Sequence, residues 1–178
     1  MTSLVRKIVR LDELLTQARI PHAFGGAFAL AYHTREPRGT IDIDVNIFVE
    51  ASEISRVVSA LKGVVQVRKD HVAAAQRDDQ VRIMWGETPI DLFFNVTTFH
   101  DDVARHVTHV DFRGRAVPIL SAVHLAVFKA LFNRTKDWAD IEGMVAEGSL
   151  DVARTVGLLV GLCGLDDPRV RRLTSLGG

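Results

Sequence analysis

The sequence predicts an α/β fold in which a mixed sheet is flanked by helices and followed by a helical C-terminal part. Short runs rich in β-branched and aromatic residues lie between residues 22 and 119, separated by glycine or proline, which is typical of strands and turns. Longer runs with apolar residues at helical spacing lie at both ends of the chain. We therefore expect one globular unit with an α/β core over residues 1–120 and a helical subdomain over residues 121–178 packed on it.

Helices are predicted where apolar residues recur every three to four positions. One example follows Ser52, a good N-cap residue, because Ile54, Val57 and Leu61 then share one face. The predicted helices are Leu4–Arg19, Gly26–His33, Ser52–Leu61, Phe99–Val107, Ala122–Phe132, Trp138–Ala146 and Val152–Leu162.

Strands are predicted for the β-rich runs between turn residues. Gly63, Gly86 and Pro89 interrupt the central runs, and Gly114 separates two runs that can form a ribbon. The predicted strands are His22–Phe24, Ile41–Val49, Val64–Val67, Gln80–Trp85, Pro89–Phe94, Val110–Arg113 and Arg115–Ile119.

Two aspartates within an apolar run are the strongest chemical signal. Side chains alternate between the two faces of a strand, so Asp42 and Asp44 share one face. The apolar residues Ile41, Ile43 and Val45 then fill the other face. Two carboxylates held close together repel unless a cation lies between them, and oxygen ligands favour Mg²⁺ or Mn²⁺. A solvated strand face is the alternative interpretation of this pattern.

A glycine pair upstream suggests a phosphate-binding turn. Gly25 and Gly26 follow a short strand and precede a predicted helix. Glycine lets the backbone approach a phosphate closely, and a helix N-terminus offers unpaired N–H groups. An ordinary turn explains Gly-Gly equally well when it is taken alone. Together with the two aspartates, it suggests a site for a metal and a nucleoside triphosphate.

These residues resemble a known signature. The string from Gly25 through Arg38 and Thr40 to Asp42 and Asp44 is similar to the GG…R-x-[ST]-x-D-x-D pattern of the polymerase-β-like nucleotidyltransferases. Within that superfamily the chain resembles the AbiEii-type minimal nucleotidyltransferases, the toxins of type IV toxin–antitoxin pairs.

A second block of residues adds to the resemblance. It consists of a lysine followed by an arginine, a Lys-Asp pair and an Asp-Ile pair, and its members here are Lys129, Arg134, Lys136, Asp137, Asp140 and Ile141. The chain departs from the pattern at Ala27, where serine or threonine is usual, and at Phe132, where alanine is usual.

The resemblance implies roles for further residues. Asp91 interrupts an apolar run and is the expected third carboxylate, as acceptor base or metal ligand, although an edge strand facing water would also explain it. Lys129 lies in a mostly apolar helix and is expected to neutralise the triphosphate, with Asp140 orienting it, although a lysine there can also extend to solvent. Arg38 and Thr40 are expected to contact the phosphates.

The implied activity is transfer of a nucleoside monophosphate from a nucleoside triphosphate, with Mg²⁺ or Mn²⁺, to an acceptor hydroxyl. The resemblance favours an RNA acceptor such as a tRNA 3′ end, and a cognate antitoxin as partner. Two alternatives stay open. One is a small-molecule nucleotidyltransferase of the aminoglycoside or lincosamide type, for which an acidic cleft would be expected. The other is a non-catalytic binding partner with the same fold.

Composition sets outer limits. The 178 residues carry 22 basic and 22 acidic side chains, so RNA binding would need local basic clusters such as Arg134 with Lys136. A single cysteine, Cys163, and the lack of a long apolar run predict a cytoplasmic protein without a membrane span. Because no cysteine or H-E-x-x-H spacing accompanies His100, His106 and His109, we expect surface histidines and no zinc site.

Overall fold

The computed structural model describes residues 3–37 and 39–177 of the chain, which form a six-stranded sheet and nine α-helices. The strands are β1 (His22–Phe24), β2 (Ile43–Glu50), β3 (Gln80–Trp85), β4 (Thr88–Asn95), β5 (Thr108–Phe112) and β6 (Arg115–Ile119). The helices are α1 (Leu4–Gln17), α2 (Gly26–Thr34), α3 (Ile54–Ala60), α4 (Lys69–Asp78), α5 (Thr98–Arg105), α6 (Ala122–Phe132), α7 (Thr135–Ala146), α8 (Val152–Cys163) and α9 (Pro168–Thr174). Short 3₁₀ turns span Ala51–Glu53 and Ser175–Gly177.

The sheet has the strand order β3-β4-β2-β1-β6-β5. Strand β2 runs parallel to β4 and β1 runs parallel to β6, whereas the other neighbouring strands are antiparallel. The sheet is therefore mixed, as predicted. Strand β4 lies between β3 and β2, so the alternative of an edge strand for Asp91 is wrong.

Helix α1 anchors the hairpin formed by β3 and β4. Its N-cap is Ser3, and its inner face includes Leu11, which is fully buried. The buried Lys7 donates hydrogen bonds to the Trp85 carbonyl oxygen at 2.8 Å and to the Thr88 hydroxyl at 2.7 Å. These bonds hold both ends of the tight β3–β4 turn against α1.

Helices α6 and α7 build one wall of the candidate site. Helix α6 packs against α2, α7 and α8. It ends at Asn133, which adopts the left-handed conformation with φ 56° and accepts a hydrogen bond from the indole of Trp138 on α7 at 2.7 Å. Asp137 then caps α7 by accepting from the Arg134 backbone N–H at 3.2 Å. This connection brings Lys129 of α6 and Asp140 of α7 side by side.

Several element predictions are wrong. Residues 64–67 form no strand in this described stretch, only isolated bridges. Helices α4 and α9 were not predicted. Ser52 lies inside a 3₁₀ turn and does not cap α3, whose N-cap is Glu53. Ile41 is 78% exposed and does not fill the apolar face, because β2 begins only at Ile43. Among the described helices, none combines the length and apolar character needed to cross a bilayer.

Candidate active site

Strands β2 and β4 bring acidic side chains together at the middle of the sheet. Asp44 is the second residue of β2, and its Cα pairs in register with that of Asp91 on β4. Asp42 lies just before β2, faces the same cleft and accepts a hydrogen bond from the Thr40 hydroxyl. The structure thus gathers Asp42, Asp44 and Asp91 around one space.

The ionised form of Asp44 is disfavoured by burial and by the neighbouring carboxylates. Burial, followed by the charges of Asp42 and Asp91, raises the pKa of Asp44 from 3.8 to about 6, while Lys129 and Arg82 act in the opposite direction. A raised pKa shows that the ionised carboxylate lacks sufficient positive charge around it. Three carboxylates supply only oxygen donors, which suits Mg²⁺ or Mn²⁺ better than softer ions. The residues therefore fit a hard divalent cation.

The glycine pair allows α2 to start directly against Asp44. The Gly25 N–H donates to the Asp44 carbonyl oxygen at 2.9 Å. Gly26 adopts φ +51°, and a Cβ at this position would lie 1.7 Å from Asp44 Oδ2. A side chain is therefore excluded at Gly26 both by conformation and by space. The N-terminus of α2 and the carboxylates share one side of the cleft.

Asp91 is engaged by an arginine on the neighbouring strand. Arg82 of β3 faces Asp91 across the antiparallel pair, with Nε at 2.7 Å from Oδ1 and Nη2 at 2.6 Å from Oδ2. The Asp91 side chain is 16% exposed, whereas that of Arg82 is 59% exposed. Both oxygens of Asp91 are thus occupied by a guanidinium group whose side chain is mostly exposed.

Lys129 is buried and turned toward the cleft. Its Nζ donates to Asp140 Oδ2 at 2.6 Å and lies 3.7 Å from Asp137 Oδ1. Arg134 holds Asp137 from the other side, with Nε at 2.6 Å from Oδ2. The interpretation of Lys129 as a lysine extending to solvent is therefore wrong. Its charge is felt at Asp44, where it lowers the pKa.

The predicted residues share one cleft of about 1020 Å³. Those that line it are Gly26, Thr40, Asp42, Asp44, Asp91, Lys129 and Asp140. Gly25 lies behind this lining as the N-cap of α2. The predicted phosphate ligand Arg38 lies outside the described residues.

No family model matches the sequence, and neither does any curated protein. Solved structures do match. The antibiotic-resistance factor ANT(2'')-Ia, solved in solution, superposes with a TM-score of 0.62 at 12% identity, over 97% of this chain and 94% of that chain. The lincosamide antibiotic adenylyltransferase LnuA, solved with lincomycin bound, gives 0.54 at 12% identity, over 78% and 94%. An antigenic nucleotidyltransferase-like protein from Paracoccidioides brasiliensis gives 0.51 at 17% identity, over 97% and 91%.

The chain has the nucleotidyltransferase fold. The fold class predicted from the sequence is thereby confirmed. The narrower resemblance to AbiEii-type toxins finds no support among these structures. At such low identities the nucleotidyltransferase fold is shared, and the substrates of the neighbours remain properties of those proteins.

Two lining residues of this nucleotidyltransferase fold were missed. Arg82 had a signal in the sequence, because the short turn between β3 and β4 places it opposite Asp91. Asn46 follows Asp44 at the same i, i+2 spacing, is 6% exposed and lines the cleft. The expectation of surface histidines is confirmed for His106 and His109, whereas His100 is half-buried, and His22 and His124 are buried.

Proposed function

We propose that the protein is a metal-dependent nucleotidyltransferase that moves a nucleoside monophosphate from a nucleoside triphosphate to an acceptor hydroxyl. The observation that carries the proposal is the arrangement of Asp42, Asp44 and Asp91 on adjacent strands, with Lys129 across the same cleft. The nucleotidyltransferase fold of the chain supports it. A degenerate binding partner would have no need of three crowded carboxylates that repel one another.

In the proposed reaction the acceptor oxygen attacks the α-phosphorus, the bond to the β-phosphate oxygen breaks and pyrophosphate leaves. Asp42, Asp44 and Asp91 would hold Mg²⁺ or Mn²⁺, which offsets the charge of the triphosphate when bound. Asp91 would take the acceptor proton once Arg82 has released its oxygens; where Asp91 helps to hold a second cation instead, the proton would pass to water. Lys129 stabilises negative charge on the pyrophosphate.

The N-terminus of α2 completes the proposed nucleotide site. Its unpaired N–H groups are suited to phosphate oxygens, and Gly26 leaves the backbone open to close approach. Thr40, hydrogen-bonded to Asp42, fixes the orientation of that carboxylate. We also propose the phosphate-binding role of Arg38 that is expected from the sequence.

The charge of the cleft indicates which kind of acceptor would bind there. Among the described residues that line it, aspartates outnumber lysines and arginines by seven to four. The aspartates are Asp42, Asp44, Asp78, Asp79, Asp91, Asp137 and Asp140, and the basic residues are Arg82, Lys129, Arg134 and Lys136.

The basic residues of the cleft lie mostly on one wall, where Asp137 and Asp140 are paired with Arg134 and Lys129. Lys129, Arg134 and Lys136 belong to the α6–α7 wall, where a triphosphate would be neutralised. Asp78, which is paired with Arg77, and Asp79 line the cleft at the end of α4. We therefore propose a cationic small molecule as the acceptor. The similarity to ANT(2'')-Ia, which is also known in complex with adenylyl-2"-tobramycin, extends over 99% of this chain and supports this choice.

RNA is the second candidate acceptor. Arg134 and Lys136 are exposed at the cleft, and the Arg134 guanidinium lies 4.9 Å from the ring centroid of the exposed Phe132. Basic and aromatic groups of this kind suit RNA phosphates and bases. The toxin role and the antitoxin partner belong to this candidate.

The test is to incubate the purified protein with each labelled nucleoside triphosphate, with Mg²⁺ and Mn²⁺ supplied separately. Tobramycin, lincomycin and total RNA serve as parallel acceptors. We expect the wild type to transfer label to a cationic antibiotic and Asp44→Asn to transfer none. Asp166→Asn, at an exposed position outside the cleft, should retain activity. Label on RNA alone would favour the second candidate, and no transfer to any acceptor would contradict the enzymatic proposal.

Charge variants separate the two acceptors further. Asp79→Asn suits the left-handed backbone there, φ 53°, and removes one acidic group from the cleft. Loss of one partly exposed charge contact is worth up to ~1 kcal/mol, so KM for a cationic acceptor should rise up to ~5-fold. Lys136→Glu should weaken an RNA acceptor and leave a cationic one unharmed. A rise in KM for Lys136→Glu with no change for Asp79→Asn would identify RNA.

A further inference from the structure

A second cluster of metal-ligating side chains lies away from the cleft lining. Asp102 belongs to α5, His106 is the residue that follows α5, and His124 belongs to α6. His124 Nε2 lies 3.0 Å from Asp102 Oδ2, and His106 Nδ1 lies 3.2 Å from Asp102 Oδ1. One ligand atom of each residue lies within 4.8 Å of those of the other two.

Each histidine has a hydrogen-bonding partner that can fix its tautomer. His106 Nδ1–H donates to the Asp102 backbone carbonyl oxygen at 2.8 Å, so an ion beside Asp102 would bind Nδ1 in place of this bond, or Nε2 once the exposed ring has turned. His124 Nδ1 lies 2.7 Å from the Ser121 hydroxyl oxygen and can donate to it. Metal-binding histidines commonly donate their second ring nitrogen to such an oxygen, which orients the ring.

The cluster is closed on one side and open on the other. The His124 side chain is fully buried. The His106 side chain is 43% exposed, so one side of the cluster is open for an additional water ligand.

We propose that Asp102, His106 and His124 bind one zinc-class transition ion, separate from the hard cation of the active site. Two imidazoles and one carboxylate, with a fourth position left to water, form a ligand set typical of zinc. Arg105, whose Nη2 lies 3.6 Å from Asp102 Oδ1, and Arg154, whose charge reaches His124, oppose a cation. We therefore expect moderate affinity.

The ion would join the two helices that form one side of the cleft. The Phe99 ring of α5 lies 5.4 Å from the Phe128 ring of α6, and His100 and Phe128 both line the cleft. A ligand that binds only the folded state stabilises that state. Zinc would thus fix α5 against α6 and stabilise the side of the cleft that these helices line.

The test uses the full chain stripped of metal with EDTA and then dialysed. Zn²⁺ is titrated by calorimetry with Mg²⁺ in excess, because Mg²⁺ occupies oxygen sites and competes poorly for imidazole. Co²⁺ absorption spectra report nitrogen ligation independently. His106→Ala removes an exposed ligand with little risk to folding, Asp102→Asn removes the carboxylate, and His109→Ala is the matched control.

We expect one Zn²⁺ per chain and a rise in melting temperature on zinc addition for the wild type and His109→Ala. Losing an outer-shell partner weakens metal sites by ~10–100-fold, so His106→Ala should weaken zinc binding by at least ~100-fold. Asp44→Asn should bind zinc like the wild type. No zinc binding in excess Mg²⁺, or equal affinity in His106→Ala, would mean that these side chains form only a hydrogen-bonded link between the helices.

Discussion

Asp44→Asn should stabilise the metal-free protein while removing its response to Mg²⁺. Burial and the neighbouring carboxylates Asp42 and Asp91 raise the pKa of Asp44 to about 6, so ionising this group in the folded state is unfavourable. Asparagine has nearly the same shape and no charge. The substitution therefore relieves repulsion without opening a cavity.

The magnitude follows from the difference in pKa. A pKa raised from 3.8 to about 6 corresponds to roughly 3 kcal/mol at neutral pH. Part of this will be lost to relaxation, so we expect a gain of about 1–3 kcal/mol for Asp44→Asn at pH 7.5. In a domain of this size each kcal/mol shifts the melting temperature by ~2–4 °C.

The sign of the pH dependence is fixed by linkage. The folded protein holds the Asp44 proton more tightly than the unfolded chain, so between pH 4 and about 6 it binds more protons. This group therefore lowers the free energy of unfolding as the pH rises through that window. Asp12 and Asp137 have lowered pKa values and act in the opposite direction, so the total trend of the wild type is mixed. Only the difference between wild type and Asp44→Asn isolates Asp44.

The assay is urea unfolding from pH 4 to 8 in EDTA, repeated with saturating Mg²⁺. The difference between Asp44→Asn and wild type should be small near pH 4 and largest above pH 6. The matched control Asp166→Asn should show no such trend. If Asp44→Asn is no more stable than the wild type at pH 7.5 without metal, or if it still gains stability from Mg²⁺, the carboxylate cluster is not the strained cation site inferred here.

Other substitutions test the remaining parts of the site. Lys129→Ala should lower turnover by ~10²–10³-fold through lost charge stabilisation. Lys129→Arg should restore only part of the turnover, since a planar guanidinium does not replace an ammonium group. An unchanged kcat in Lys129→Ala would contradict this role. Arg82→Ala should bind Mg²⁺ up to ~5-fold more tightly in calorimetry, because it removes an ion pair with Asp91 that is worth up to ~1 kcal/mol and competes with the metal. Weaker Mg²⁺ binding would mean that Arg82 positions Asp91 instead. Gly26→Ala should lose at least ~2 kcal/mol of stability in urea unfolding, because the added Cβ would meet Asp44. The control Gly157→Ala, in the open interior of α8, should gain ~0.5–1 kcal/mol. Equal effects of the two substitutions would argue against the close approach of Gly26 to Asp44.

Local patterns were sufficient to predict most elements. Gln80–Trp85 and Ala122–Phe132 have the predicted bounds because their patterns end at clear turn or cap residues. Helix α4 was missed because Ala75 is its one buried residue, so it has no apolar stripe to recognise. Residues 64–67 have a strand-like composition, but they pair with other residues only through isolated bridges and not along a full strand. Composition indicates which residues favour a strand, but such a segment forms one only where a neighbouring strand is available to pair with it.

The site was predictable where its parts are close in sequence. Asp42, Asp44 and the glycine pair belong to one strand–turn–helix–strand segment, so spacing alone suggested that they meet. The register of Asp44 with Asp91 depends on parallel pairing between distant strands, and the sequence does not encode that pairing locally. The approach of His124 to Asp102 likewise depends on how α5 packs on α6.

The strain at Asp44 connects the fold to the proposed chemistry. Most buried charges in the chain are paired: Asp137 with Arg134, Asp140 with Lys129, and Asp12 with Arg115. In each pair the opposite charge offsets the loss of hydration. Asp44 differs because burial, followed by the charges of Asp42 and Asp91, outweighs the influence of Lys129 and Arg82, and its pKa rises as a result. The proposed metal-dependent transfer accounts for this unbalanced charge, because a cation bound beside Asp44 would lower its pKa and remove the cost of ionising it.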